Sequence, residues 1–215
     1  SLVATSAFAG EVTVAGSASM GLEHINGGAA NSGKSFSMGN QLTFTGGGEL
    51  ENGLDVSISF VLDQGDNETD TTAGAGTAPF DSHSVSIGTD AMGTITMHGE
   101  GGSSAAGAVD GSAAGGIWDL FMAAADEPDA AAGAANMLVY SLPSIVDDLA
   151  LVASYSPKGT GFASSTSYSV VYSGVEGLTL TYAQGSDNAS GTSEANQTVM
   201  ALNYAFGPLT VGYSN

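Results

Sequence analysis

From Val12 onward, hydrophobic and polar residues alternate. Even positions read Val12, Val14, Gly16, Ala18, Met20 and Leu22, and between them stand Glu11, Thr13, Ala15, Ser17, Ser19, Gly21 and Glu23. A period of two sends successive side chains to opposite faces of a strand, here one apolar face and one small, polar face. The pattern returns with Phe36, Met38, Leu42 and Phe44 set against Ser35, Ser37, Gln41, Thr43 and Thr45. It returns again with Leu54, Val56, Ile58, Phe60 and Leu62 against Asp55, Ser57, Ser59 and Asp63. Shorter runs occur at Val85–Ile87 and Ile95–Met97. Further strands fit Met137–Leu142, Leu149–Tyr155, Tyr168–Tyr172, Leu178–Tyr182, Val199–Phe206 and Leu209–Tyr213. The periodicity predicts about eleven strands. The one helical candidate is Gly116–Ala125, where Ile117, Trp118, Leu120 and Phe121 share a side.

The connections between these segments alternate in length. Short ones are expected at Gly46–Gly53, Thr89–Gly93, Ser144–Asp148, Ser173–Gly177 and Gly207–Pro208. Long ones are expected at His24–Lys34, Gln64–His83, His98–Ala135, Ser156–Thr166 and Gln184–Asn196. An antiparallel up-and-down meander with tight turns at one end and long loops at the other has this signature. A Greek-key sandwich has no reason to keep it. The polar faces carry Ser, Thr, Gly, Gln and carboxylates, so they suit a wet interior, and the apolar faces suit lipid. Tyr140, Tyr155, Tyr168, Tyr172, Tyr182, Tyr204 and Tyr213 stand near strand ends, where a membrane–water boundary accommodates a buried ring and a wet hydroxyl. The expected fold is therefore an all-β transmembrane barrel. An open edge in hydrocarbon costs several kcal/mol per unmet backbone group. Eleven is an odd number and Leu209–Asn215 lacks a terminal aromatic residue, so the expectation is the N-terminal portion of a longer, closed barrel.

Composition narrows the field further. The chain has 215 residues, 22 of them acidic, only two lysines (Lys34 and Lys158), no arginine and a net charge of −20. With 42% hydrophobic residues it is too apolar for a disordered acidic tail. Two lysines cannot neutralise a phosphate backbone, so nucleic acid is not an expected partner. The absence of cysteine removes disulfides, thiolate metal sites and cysteine nucleophiles. No apolar run is long enough for a membrane-spanning helix. Ser1–Ala9 (SLVATSAFA) ends in the small-x-small form of a signal-peptidase site. It is read as a signal-peptide remnant, with residues 10–215 forming the barrel domain and export from a bacterial cytoplasm implied.

Several segments match a known family. GEVTVAGSASMGLEH (Gly10–His24) resembles the first strand of alphaproteobacterial general porins of the Rhodobacter type, an E-V-x-(hydrophobic)-x-G-x-x-x-M-G pattern carried by Glu11, Val12, Val14, Gly16, Met20 and Gly21. QLTFTGGGELENGLDVSISF (Gln41–Phe60) and SVSIGTDAMGTITMHGE (Ser84–Glu100) resemble the next two hairpins. LNYAFGPLTVGYS (Leu202–Ser214) resembles a mid-barrel hairpin. The resemblance implies a barrel of about 16 strands, a homotrimer embedded in outer-membrane lipid and lipopolysaccharide. It also implies passive diffusion of small hydrophilic solutes and ions through a water-filled pore, narrowed by a constriction loop after the fifth strand.

That loop is Gly99–Ala135. Asp110, Asp119, Asp126, Glu127 and Asp129 are its candidate pore-lining carboxylates, and Trp118, Leu120 and Phe121 its candidate anchors to the inner wall. Glu23, Asp55, Asp63 and Glu100 are expected on the pore wall or mouths. With so few basic residues the lumen is expected to favour cations. This departs from the family, which sets basic residues opposite the acidic loop. Asp63, Asp66, Glu68 and Asp70, with Asp81 nearby, form an acidic external loop whose oxygens suit Ca²⁺. It lacks the EF-hand glycine and terminal glutamate, so a simply solvated loop is the alternative, and no other cofactor is expected. His24, His83 and His98 have no metal-spaced partner, and no G-x-S-x-G elbow is present, so no enzyme is expected. The rival class is an extracellular structural or adhesive acidic β-protein of the surface-layer kind, although a solenoid would carry a fixed repeat and none is found.

Overall fold

The computed structural model describes residues 12–25, 33–63, 81–109, 111, 113, 136–157, 164–187 and 195–215. They form strands β1 (Val12–Ile25), β2 (Gly33–Glu49), β3 (Asp55–Asp63), β4 (Ser82–Thr89), β5 (Gly93–Glu100), β6 (Met137–Ser141), β7 (Leu149–Ser156), β8 (Ser165–Val175), β9 (Leu178–Asp187), β10 (Ala195–Phe206) and β11 (Leu209–Ser214). These eleven strands make one sheet in sequence order. Every neighbouring pair is antiparallel. This is the up-and-down meander that the alternating connections predict.

The register holds the two faces apart, with shifts near strand ends between His83 and Ser84 and between Tyr172 and Val175. Val14 pairs with Phe44 and Phe44 with Phe60, and Ile58 pairs with Val85 and Val85 with Met97. Leu180 pairs with Leu202 and Leu202 with Tyr213. Ser17 with Gln41, Ser86 with Thr96, Ser154 with Ser167 and Thr181 with Ala201 occupy the opposite face. A slip of one residue would exchange the faces. The apolar face stays open: Val12 is 66% exposed and Met20 85% exposed, and Ile95, Leu202 and Val211 are exposed with them. A continuous apolar surface of this extent is not stable against water and calls for hydrocarbon. Val12, Val14, Phe60 and Leu151 all lie on this open face rather than in a dry centre.

The strands run further than the apolar pattern alone suggests. The connection expected at Gly46–Gly53 shortens to a turn closed by Gly53 N–H donating to Leu50 O at 2.8 Å, because β2 continues to Glu49. Gly46 and Gly48 read as turn residues in the sequence, yet they sit opposite Ile58 and Val56 in the ladder. Branched neighbours fill the space a side chain would take: the Cβ position of Gly46 lies 3.5 Å from Ile58 Cγ1 and 3.6 Å from Val12 Cγ2. The β3–β4, β7–β8 and β9–β10 ladders likewise extend into polar residues, since backbone pairing needs no apolar side chain.

Tyrosines mark the two ends of the apolar band. On β8, Tyr168 stands near the long-loop end. Its hydroxyl donates to Gln184 Oε1, and its ring lies 6.1 Å from that of Tyr182. Four residues on, the Tyr172 hydroxyl reaches toward the turn end, within 2.5 Å of the Cβ position of Gly174. On β6, the Tyr140 hydroxyl donates to Met92 O at 2.7 Å, also at the turn end. Hydroxyls directed away from the mid-band on both sides are what two lipid–water boundaries require. We expect Leu202→Lys, in the middle of the apolar face, to lower unfolding stability by about 2–4 kcal/mol in bilayers. Thr210→Lys, on the polar face of the adjacent strand, should change it by less than about 1 kcal/mol. Denaturant titration of vesicle-reconstituted protein checks both, and equal losses would contradict the assignment of faces.

Candidate functional site

The chain leaves β5 and turns across the polar face rather than away from the sheet. The turn rests on the run Gly99-Glu100-Gly101-Gly102. Gly101 has φ of 68°, a left-handed conformation that glycine adopts without strain, and a Cβ there would meet Ser82 Cβ at 2.3 Å. At Gly102 a Cβ would meet His98 Cγ at 2.5 Å. The missing side chains thus let the backbone cross close over His98, whose strand partner is Met137.

Beyond this entry the chain makes a single helical turn. Ala108 N–H donates to Ser104 O at 2.9 Å, and Gly107 N–H donates to Ser104 Oγ at 2.9 Å, so Ser104 caps the turn with its own side chain. A helical turn leaves its first N–H groups without partners of their own. Those of Ala105 and Ala106 are met by the sheet: Ala105 N–H donates to Ser154 Oγ at 3.0 Å and Ala106 N–H to Ser167 Oγ at 3.2 Å. Ser154 and Ser167 are direct cross-strand partners on β7 and β8. Their hydroxyls share a hydrogen bond of 2.6 Å.

The seat is dry. Ala106 is 1% exposed and packs against Ala183 at 0% and Val199 at 1%, with Val109 alongside. Ser165, Ser169, Thr181 and Ala201 are buried on the same face. Small side chains on both surfaces let backbone and wall approach within hydrogen-bonding distance. This is why valine at position 199, facing opposite to its apolar neighbours Met200 and Leu202, costs nothing: the loop covers it.

A second feature lies at the turn end of the polar face. A groove of about 300 Å³ runs between β2, β3, β4 and β5, lined by Glu49, Asp55, Ser57, Ser86, Asp90 and Thr94 among others. Glu49 and Asp55 are direct cross-strand partners. Like charges set opposite one another repel, and three carboxylates around one groove raise the local cation concentration. Among the described residues no group of three His, Asp or Glu side chains is placed to hold a metal ion.

The sequence-expected residues divide accordingly. Asp55 lies in the carboxylate groove. Glu100 is exposed, its backbone opposite His83. The backbones of Glu23 and Asp63 pair with Ser35 and Gln41, while their side chains lie outside the described set. Asp66, Glu68 and Asp70 of the acidic external loop lie outside the described residues. So do Asp110, Asp119, Asp126, Glu127 and Asp129, the anchors Trp118, Leu120 and Phe121, and the segment Ser1–Ala9. Sequence reasoning missed Ser104, Ser154, Ser167, Ala105 and Ala106 as contact residues, and Glu49 and Asp90 as companions of Asp55. Two signals pointed to the first group: the glycine run after β5, and the alternation Ser165, Ser167, Ser169.

Comparison with known proteins agrees with this geometry. Among curated proteins none matches the chain by sequence at a significant level. Two solved structures of substituted forms of the Rhodopseudomonas blastica porin superpose with TM-scores of 0.67 and 0.55 at 16% identity, covering 95% of this chain and 73% and 84% of theirs. Salmonella typhi OmpF superposes with a TM-score of 0.60 at 13% identity, over 95% of this chain and 65% of its own. At such identities the likeness speaks to fold, and the fold is the porin barrel, with the apolar face toward lipid and the polar face toward the lumen. The model of the Gram-negative porin family matches residues 1–215. The chain therefore belongs to the Gram-negative porins, proteins of the outer membrane.

Proposed function

We propose that the chain forms the wall of a passive, cation-favouring diffusion channel for small hydrophilic solutes, narrowed by the segment that follows β5. The observation that carries this reading is the seat described above: residues 101–109 turn into the polar face and are held there by wall serines, which on a barrel is the lumen side and not the rim. The polar face around it offers Ser, Thr, Asn and Gln, which replace part of a solute's hydration without holding it tightly. No bond is made or broken in such a passage. Family membership supports assembly as a homotrimer among outer-membrane lipid and lipopolysaccharide. It also removes the ground for a surface-layer-like structural role.

Cation preference is supported by charge placement. Glu49, Asp55 and Asp90 surround one groove on the lumen side, and the chain as a whole has 22 acidic side chains against two lysines. Fixed charge beside low-dielectric walls concentrates counter-ions. The effect falls with salt, because the screening length shrinks from about 10 Å at 0.1 M to about 3 Å at 1 M.

Two outcomes are expected in planar bilayers. The triple variant Glu49→Gln, Asp55→Asn, Asp90→Asn should move the zero-current potential under a KCl gradient toward zero. The shift should be clear at 0.1 M and largely lost at 1 M. An unchanged potential at low salt would remove these carboxylates from the ion path. Ala106→Leu has no room in its seat, and overpacking costs about 1–3 kcal/mol, so the loop should move off the wall and lower single-channel conductance. Ala108→Leu, at an exposed position of the same turn, should leave conductance unchanged. Similar conductance in the two variants would count against a seated loop.

A further inference from the structure

We infer that Ser154 and Ser167 are positioning residues of the channel: they set where the constricting loop stands, through uncharged hydrogen bonds, on strands other than those that carry the carboxylate groove. The inference rests on the channel reading above and deepens it.

Consecutive N–H groups at the start of the loop's helical turn have nowhere else to go. Ala105 and Ala106 are each 1% exposed, so water does not reach them. Ser104 uses its side chain on Gly107 and its carbonyl on Ala108. The strand backbones beneath are committed to the β7–β8 and β8–β9 ladders. Among the described residues the inward side chains remain as acceptors, and an antiparallel pair presents two of them side by side. Ser154 and Ser167 are such a pair: in their shared hydrogen bond one hydroxyl donates to the other, and each oxygen keeps a lone pair for its N–H. Alanine at either position keeps the seat's shape but leaves a buried N–H unmet, which is the expensive way to lose a hydrogen bond.

Among the described residues this arrangement contains no ion pair. The described inward residues of β7, β8 and β9 around it are Ala150, Val152, Ser154 and Ser156, then Ser165, Ser167, Ser169 and Val171, then Thr179, Thr181, Ala183 and Gly185. The carboxylate groove lies on β2–β5 at the turn end. The hold on the loop and the groove carboxylates therefore reside on different strands and in different chemistry.

The test is single-channel recording of the full chain with Ser154→Ala, Ser167→Ala and the double variant, and Ser169→Ala as control. Ser169 is buried on the same face but outside this hydrogen-bond set. The double variant should show brief closures about tenfold more frequent than the parent, the factor that corresponds to ~1.4 kcal/mol. Each single variant should show more than the square root of that increase, because loss of one hydroxyl also disorients the other. Hydrogen exchange supplies a second readout that does not depend on conductance: the amides of Ala105 and Ala106 should exchange faster in the variants, and those of the β9–β10 ladder should not. The inference is overturned if a folded double variant closes no more often than Ser169→Ala, or if the two amides keep their protection. A parent protein that conducts no ions would sink the channel reading instead, and the exchange measurement would still decide whether the serines hold the loop.

Discussion

A strand that crosses hydrocarbon has to give every backbone group to its neighbours, because the solvent offers none. That constraint organises the molecule. It forces an antiparallel ladder of strands in sequence order, and it removes the backbone from any other task. Side chains then have to do everything else, one face turned to lipid and the other to water. The pairing of Phe44 with Phe60 and of Leu180 with Leu202 on one face, and of Ser17 with Gln41 and Ser154 with Ser167 on the other, is the consequence.

The same constraint explains how a loop is fastened inside such a barrel. A segment that enters the lumen finds no free backbone partner on the wall, and its own buried N–H groups still need acceptors. The solution at Ala105 and Ala106 is a cross-strand pair of serines, set in a patch of alanine, glycine and valine small enough for close approach. Hydroxyls serve better here than carboxylates. They accept from an N–H without placing a charge in a dry seat, where desolvation would cost several kcal/mol. Carboxylates appear instead where the face is open and wet, at Glu49, Asp55 and Asp90.

Glycine has different uses along the chain. Gly46 and Gly48 lie within the ladder, and at Gly46 the side chains of Ile58 and Val12 fill the gap. Gly101 and Gly102 let the chain turn and pass close over His98. In the sequence all four look like turn residues. Only the partners across the sheet distinguish a glycine that is covered by a neighbour from one that makes room for backbone.

By itself the sequence determined the period, and with it the strands, their order and their faces. A residue in a meander touches the strands before and after it, and the alternation of Val12, Val14 and Met20 with Thr13, Ser17 and Ser19 is local information. It also determined that a long acidic segment follows the fifth strand, and that basic residues are scarce. Tertiary structure alone decided which inward positions touch the loop. Ser154 and Ser167 are ordinary inward serines until a segment some 50 or 60 residues away in sequence is laid on them, and Val199 looks misplaced until Ala106 covers it. Likewise Asp55 stood among the expected wall residues, but its neighbours Glu49 and Asp90 became visible only through the register of β2 with β3 and the β4–β5 turn. Periodicity reports which way a side chain points; which groups meet it there is set by contacts between segments that the period does not encode.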